Sequence, residues 1–258
     1  MKAILITLAA ALLAAPFVAV LEDTGRSMLG RPQVAASPEG TPGAGSNSPV
    51  LVDVRMDYEA DPGWVFPGTK EDVGQPPAEK VYSTWKRENW KKWVDARKGV
   101  AATDNTVSIT VSGRSAKAVV LRKLTVTIHE RKPPLAGTFV AKGGAGGLSP
   151  RRFHLNLDRQ PPSVMLAATK PGEVAGDEDF VDFPYTVSET EVEEFQLYPN
   201  TKRCLCSWSA VLYWDADMGG DKRVAGTSRI NDNGKPFLVT ATTNVIDRVR
   251  IPWGAVVS

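Results

Sequence analysis

Cys204-Leu205-Cys206 is the most unusual local combination in the chain, because two thiols so close can pair, bind metal or exchange electrons. In a flat strand, residues i and i+2 share a face about 6.6–6.8 Å apart. A disulfide brings Cβ atoms to about 3.5–4.5 Å. Cys204 and Cys206 therefore pair only where the strand bulges or turns. An oxidising compartment favours such pairing, with two buried thiols or an intermolecular bond as alternatives. Redox catalysis ranks last, since the Cys-x-x-Cys spacing at a helix N-terminus is absent.

Carboxylates offer a second chemistry. Asp177, Glu178, Asp179, Asp182, Glu189, Glu191, Glu193 and Glu194 fall in one stretch without a base. Paired acids hydrolyse glycosides when they flank a cleft, whereas neighbouring acids along a chain more often form a solvated face. Asp215, Asp217 and Asp221 resemble a calcium loop superficially. The EF-hand pattern needs an oxygen donor and a bidentate Glu where this chain has Gly219 and Gly226. A polar hairpin tip is the better reading.

His129 and His154 are the only histidines, and alternation puts each on the polar face of its strand. No nucleophile elbow, His-Glu-x-x-His, phosphate loop or dinucleotide fingerprint occurs. Gly143-Gly144-Ala145-Gly146-Gly147 lacks the following helix that a phosphate loop requires. No cofactor, metal site or catalytic residue is assigned from the sequence.

These side chains must be positioned by mostly β structure. Val107, Ile109 and Val111 alternate with Thr and Ser, and Val120, Leu124, Val126 and Ile128 share a face in the run to His129. Phe153, Leu155 and Leu157 form another such set. So do Cys206, Trp208, Ala210, Leu212 and Trp214. A hairpin follows, with its loop at 215–221 and its return through Arg223 to Ser228. Val50–Val54 makes a first strand, residues 58–80 are turn-rich, and Asn231–Gly234 is a turn before Pro236–Val239. The expected fold is mainly β: an antiparallel β-sandwich-like domain or pair of domains with one short amphipathic helix. Residues 50–258 form this region, with subdomains 50–170 and 171–258 as a further division.

The helix is predicted over Thr84 to Lys98, ended by Gly99. Trp85, Asn89, Trp93 and Ala96 fall within an arc of about 80°, with Trp90 some 60° further round. Segment 86–98 holds six bases and two acids. One reading docks the tryptophans on the β domain while the lysines reach water, and it is preferred. The other makes Trp85, Trp90, Trp93, Lys91 and Lys92 a contact surface for an anionic membrane or wall polymer. The basic helix and the acidic 177–194 stretch could also attract each other within the fold.

Ahead of all this, Met1 and Lys2 precede nineteen uncharged residues, Ala3 to Leu21, followed by Glu22 and Asp23. As a helix that run spans ~28 Å, close to the bilayer hydrocarbon thickness. Charge placement keeps the N-terminus inside and exports the rest. The run exceeds the apolar core of a cleaved signal peptide, and its end offers a poor cleavage site. Residues 1–21 are read as a signal anchor, with a signal peptide as the alternative. Residues 22–49, rich in Pro, Gly and Ser, are read as a disordered spacer.

Across all 258 residues, 31 bases against 29 acids argue against a nucleic-acid partner. Two cysteines exclude a disulfide-dense scaffold. The expected location is the cell membrane, single-pass with the C-terminal domain outside, or secreted if residues 1–21 are cleaved. The expected partners are the membrane, through the N-terminal helix, and a protein or wall component. A non-enzymatic binding module leads, ahead of an exported hydrolase and the outer half of a sensory system.

Four segments together resemble membrane-anchored extracytoplasmic proteins of actinobacteria that have no assigned activity. They are Trp90-x-x-Trp93 in a helix ending near Gly99; Val119-Val120-Leu121 leading to Arg131-x-x-Pro134-Leu135-x-Gly137-Thr138; Arg152-Phe153 leading to Leu157-Asp158; and Gly234-Lys235-Pro236-Phe237. The resemblance covers residues 85–240. In some of those proteins a helix-turn-helix domain precedes the membrane segment, and the sensory reading comes from there. It implies no site residues.

Overall fold

A computed structural model describes residues 48–58, 63–77, 87–142, 151–166, 183–217 and 223–251. The membrane run, the spacer as far as residue 47, Trp85, the Gly143–Gly147 loop, residues 167–182 and the tip of the 215–221 loop lie outside the described residues. Among the described residues, no helix is long and apolar enough to cross a membrane.

The chain is mainly β and forms two sheets. Its first half runs β1 (Val50–Met56), β2 (Trp64–Pro67), α1 (Lys70–Val73), α2 (Arg87–Ala96), β3 (Val100–Ala102), β4 (Val107–Gly113) and β5 (Val119–Lys132). It continues through β6 (Gly137–Lys142), β7 (Arg151–Asn156), β8 (Ser163–Leu166), β9 (Tyr185–Val187) and β10 (Glu193–Asn200). The last strands are β11 (Leu205–Asp217), β12 (Arg223–Ile230), β13 (Phe237–Thr240) and β14 (Val245–Ile251). The smaller sheet has the order β1-β4-β10-β7-β8. The larger has β14-β6-β2-β3-β13-β11-β5-β9, with β12 also paired to β11.

The expected alternation holds where a strand has one wet face. Cys206, Trp208, Ala210, Leu212, Trp214 and Ala216 are buried along β11, and Val107, Ile109 and Val111 along β4. Trp208 and Leu212 are almost fully buried, each contributing about 1.5–3 kcal/mol by removal from water. Strand β5 departs from the pattern. Tyr213 faces Lys123 while Trp214 faces Leu121, and Ser207 faces Glu130 while Trp208 faces Ile128. Arg122 and His129 are thus extra residues at two bulges. Each bulge reverses the parity of the strand. Val119 and Leu121 are therefore buried ahead of the first bulge and Leu124 after it, and Val120 does not share their face.

Three expectations are corrected. The sheets are mixed rather than purely antiparallel, because β10 runs parallel to β7, β13 to β3 and β14 to β6. Between β7 and β10 the chain passes through β8 and β9, and this excursion returns it in the same direction. The division into 50–170 and 171–258 is not followed. β10 lies hydrogen-bonded between β4 and β7, β11 pairs with β5, and one hydrophobic cluster runs through both sheets. There are also two helices among the described residues, since the turn-rich segment contains the one-turn α1.

Candidate functional site

Cys204 lies just outside β11, and this lets the two cysteines meet. Its backbone N–H donates to Thr201 Oγ1 in a turn, at 3.2 Å. The Cα atoms of Cys204 and Cys206 stand 5.4 Å apart, closer than two residues of flat strand, and a disulfide joins them. Both are buried.

That turn carries the chain from the smaller sheet to the larger, and polar bonds hold it on all sides. Thr201 Oγ1 donates to Asp158 Oδ1 at 2.7 Å, and the Lys202 N–H donates to Asp158 Oδ2 at 2.9 Å. Asn200 Nδ2 donates to both carboxylate oxygens of Asp104, at 3.0 and 2.9 Å. The Thr201 N–H reaches Thr103 Oγ1, and the Ala241 N–H reaches the Cys204 carbonyl. Arg131 Nη2 donates to the carbonyls of Leu157 and Arg159. Protein donors occupy the oxygens of Asp104 and Asp158, an arrangement that anchors a junction rather than moving protons.

The tryptophan helix docks inward. Trp90 and Trp93 are buried, with Trp93 edge-on to Phe66 at 4.5 Å and to Trp90 at 5.5 Å. As a contact surface these two indoles are corrected: they pack into the core together with Val94, while Asn89 and Ala96, on the arc expected to be apolar, are exposed. Lys91 and Lys92 remain exposed. Asp95 accepts a hydrogen bond from Lys91, which is the main reason the Lys91 ammonium is held above its ordinary pKa. Arg97 donates to the Val73 carbonyl and covers Trp93 at 5.2 Å.

The described part of the acidic stretch disperses. Glu193 takes both arms of Arg151, at 2.9 and 3.3 Å, and this bond chiefly raises the Arg151 pKa. Arg151 also covers the Tyr185 ring at 4.4 Å. Glu189 and Glu191 are exposed beside a turn in which Ser188 Oγ accepts the Glu191 N–H. Asp215 pairs with Arg122 at 2.6 Å. The ion pairs described for the basic helix and the acidic stretch thus lead to other partners. Among the described residues, no three His, Cys, Asp or Glu side chains gather as a metal ligand set.

Both histidines lie on outward faces. His129, at its bulge, shares a 2.8 Å hydrogen bond with Ser209 Oγ. His154 stands beside Tyr198, ring centroids 5.4 Å apart. This second histidine belongs to a broad polar face of the smaller sheet, which sequence reasoning missed. Register places Tyr198, His154 and Met165 in one row, and Arg55, Ser108, Gln196 and Arg152 in the next. Tyr198 Oη donates to Gln196 Oε1 at 2.7 Å. Arg152 Nε is buried and has no hydrogen-bond partner. The signal was the alternation of Glu194, Gln196, Tyr198 and Asn200 with Phe195, Leu197 and Pro199, hidden in the end of the acidic run.

Comparison of the chain with protein-family models, curated proteins and solved structures yields no match.

Proposed function

We propose that the chain is a membrane-tethered, extracytoplasmic binding module that engages a protein or wall component at the cell surface. The observation that carries this reading is the buried Cys204–Cys206 disulfide at the junction between sheets. Disulfides persist outside the cytosol and are rare within it. Both cysteines of the chain are consumed in this bond. The charge order around residues 1–23 supports the same location. The junction carboxylates serve the fold, which leaves the wide outer sheet faces as the surfaces offered to a partner.

The test uses the full chain with a C-terminal tag. On intact cells, added protease removes the tag, and denatured protein shows two reactive thiols only after reduction. A tag protected in intact cells, or thiols labelled without reductant, would overturn the reading. The mass of the cell-associated species separates anchor from cleaved signal, since cleavage removes the first twenty-one residues.

A further inference from the structure

The outer face of the smaller sheet has a composition that selects among occupants. Its outward side chains on β1, β4, β10, β7 and β8 include two acids, Asp53 and Glu194, and two bases, Arg55 and Arg152. Asp53 and Arg55 pair with each other at 3.3 Å. The face is therefore electrically balanced and offers a polyanion nothing. Its large exposed apolar side chains, Leu51 and Met165, stand on opposite edge strands. A protein interface would instead concentrate apolar anchors at its centre.

The centre holds an aromatic pair, Tyr198 and His154, with Gln196 and Arg152 one row along. Strand spacing and rise give these four positions a patch of about 5 by 7 Å, the scale of one hexose ring. Ser108 and Arg55 continue the second row across two more strands, which extends the patch to a few such rings. Because Tyr198 donates to Gln196 Oε1, the Gln196 amide N–H groups and the Tyr198 lone pairs remain for a ligand. Arg152, half-buried beside Gln196 on the same row, adds a guanidinium with further N–H donors.

Building on the binding-module reading, we propose that this face binds a neutral envelope oligosaccharide. A sugar ring stacks its C–H face on Tyr198, with His154, tilted 38° to it, at the edge. Gln196 and Arg152 hydrogen-bond its hydroxyls. Flat aromatic faces and planar hydrogen-bonding groups suit such a ligand, because it is apolar on one side and hydroxylated at its rim.

The experiment presents the full chain in detergent to immobilised neutral hexasaccharides of β-1,4-linked glucose, N-acetylglucosamine and mannose, with polyphosphate as the charged control. At least one neutral hexasaccharide binds, and the affinity barely changes over a tenfold range of salt. Tyr198→Ala and Gln196→Ala weaken binding about tenfold or more, by loss of the stacking ring and of a hydrogen bond respectively. Tyr198→Phe retains most of it. Tyr213→Ala, on the outer face of the larger sheet, leaves it unchanged. Near-UV circular dichroism shows that each variant is folded.

Failure of folded wild-type chain to bind any neutral hexasaccharide overturns the proposal, as does binding that ignores Tyr198→Ala and Gln196→Ala. Preference for polyphosphate with steep salt dependence also overturns it. Retention of both variants on isolated envelope, equal to wild type, sinks the glycan face and leaves the binding-module reading standing. No retention of wild type on any envelope fraction sinks both.

Discussion

The Thr201 hydroxyl donates to Asp158 Oδ1 across the junction between the sheets, 2.7 Å away, while accepting the N–H of Cys204. Thr201 is 1% exposed, so its hydroxyl has no water to replace a lost partner. Asp158→Ala removes the acceptor for both the Thr201 hydroxyl and the Lys202 N–H. The expected cost is about 1–3 kcal/mol for the buried group left unsatisfied. For a chain of this size that lowers Tm by roughly 2–4 °C per kcal/mol. Thermal unfolding of Asp158→Ala against wild type measures it, and a shift below 1 °C would show that the junction is held elsewhere.

The disulfide beside it closes a very short loop. Chain-entropy reasoning gives roughly 1.6 kcal/mol for a loop of about three residues, well under the 3 kcal/mol of a fifteen-residue loop. Reduction, or Cys204→Ser with Cys206→Ser, is therefore expected to lower the unfolding midpoint by a few degrees and leave the β circular dichroism intact. Thermal melts with and without reductant check this. Complete unfolding on reduction would mean that the bond carries much more of the junction than its loop length implies.

How much of this was legible follows from the physics of each strand. β4 and β11 were readable because one face is dry and the other wet, so period-2 alternation survives in the sequence. β5 was readable as a strand but not in its facing, because the Arg122 and His129 bulges each shift the parity by one. β2 is buried at Trp64, Val65 and Phe66, so no alternation marks it. β10 was missed because Glu193 and Glu194 read as the end of an acid run. Pro199 is tolerated because β4 pairs only with Glu193–Leu197, so no ladder bond to β4 is needed there. The outer face centred on Tyr198 was lost with β10. Parallel pairing has no local signature at all.

Gly226 faces Trp214 in the β11–β12 ladder, and a Cβ there would run into the indole ring, whose Nε1 donates to Ser228 Oγ at 3.1 Å. Gly226→Ala forces the ring aside and is expected to cost about 1–3 kcal/mol by overpacking. Ala225→Ser, one residue away and exposed, stays within about 0.5 kcal/mol. Urea denaturation of the two variants distinguishes a local steric demand from a general sensitivity of β12.

Asp72 reaches back to the N–H and the hydroxyl of Thr69 at the start of α1, at 2.9 and 3.0 Å. The bond to the Thr69 backbone N–H, then that to its hydroxyl, hold the Asp72 pKa below its ordinary value. The carboxylate form is the one that accepts, so the cap is complete above the ordinary carboxylate range and is lost as pH falls through the lowered pKa. An NMR titration is expected to place the Asp72 midpoint below that of a model aspartate. The Thr69 amide shift should move with it, and Asp72→Asn should abolish that movement. A Thr69 amide that titrates with an ordinary carboxylate midpoint would contradict the cap.

Trp93 packs between Phe66 and Trp90, and this sets what the basic helix can contribute. Both indoles are buried while Lys91 and Lys92 are exposed, so the aromatic and basic halves of the helix have separate roles. Trp90→Ala or Trp93→Ala is expected to cost about 3–5 kcal/mol, since each leaves a cavity in the core. Lys92→Gln should stay within about 0.5 kcal/mol, and Lys91→Gln should lose only the few tenths of an exposed i,i+4 pair with Asp95. The fluorescence removed by Trp93→Phe should be that of a shielded indole, unchanged by anionic lipid vesicles. A vesicle-dependent shift of that component would mean that the helix leaves its dock to meet a membrane.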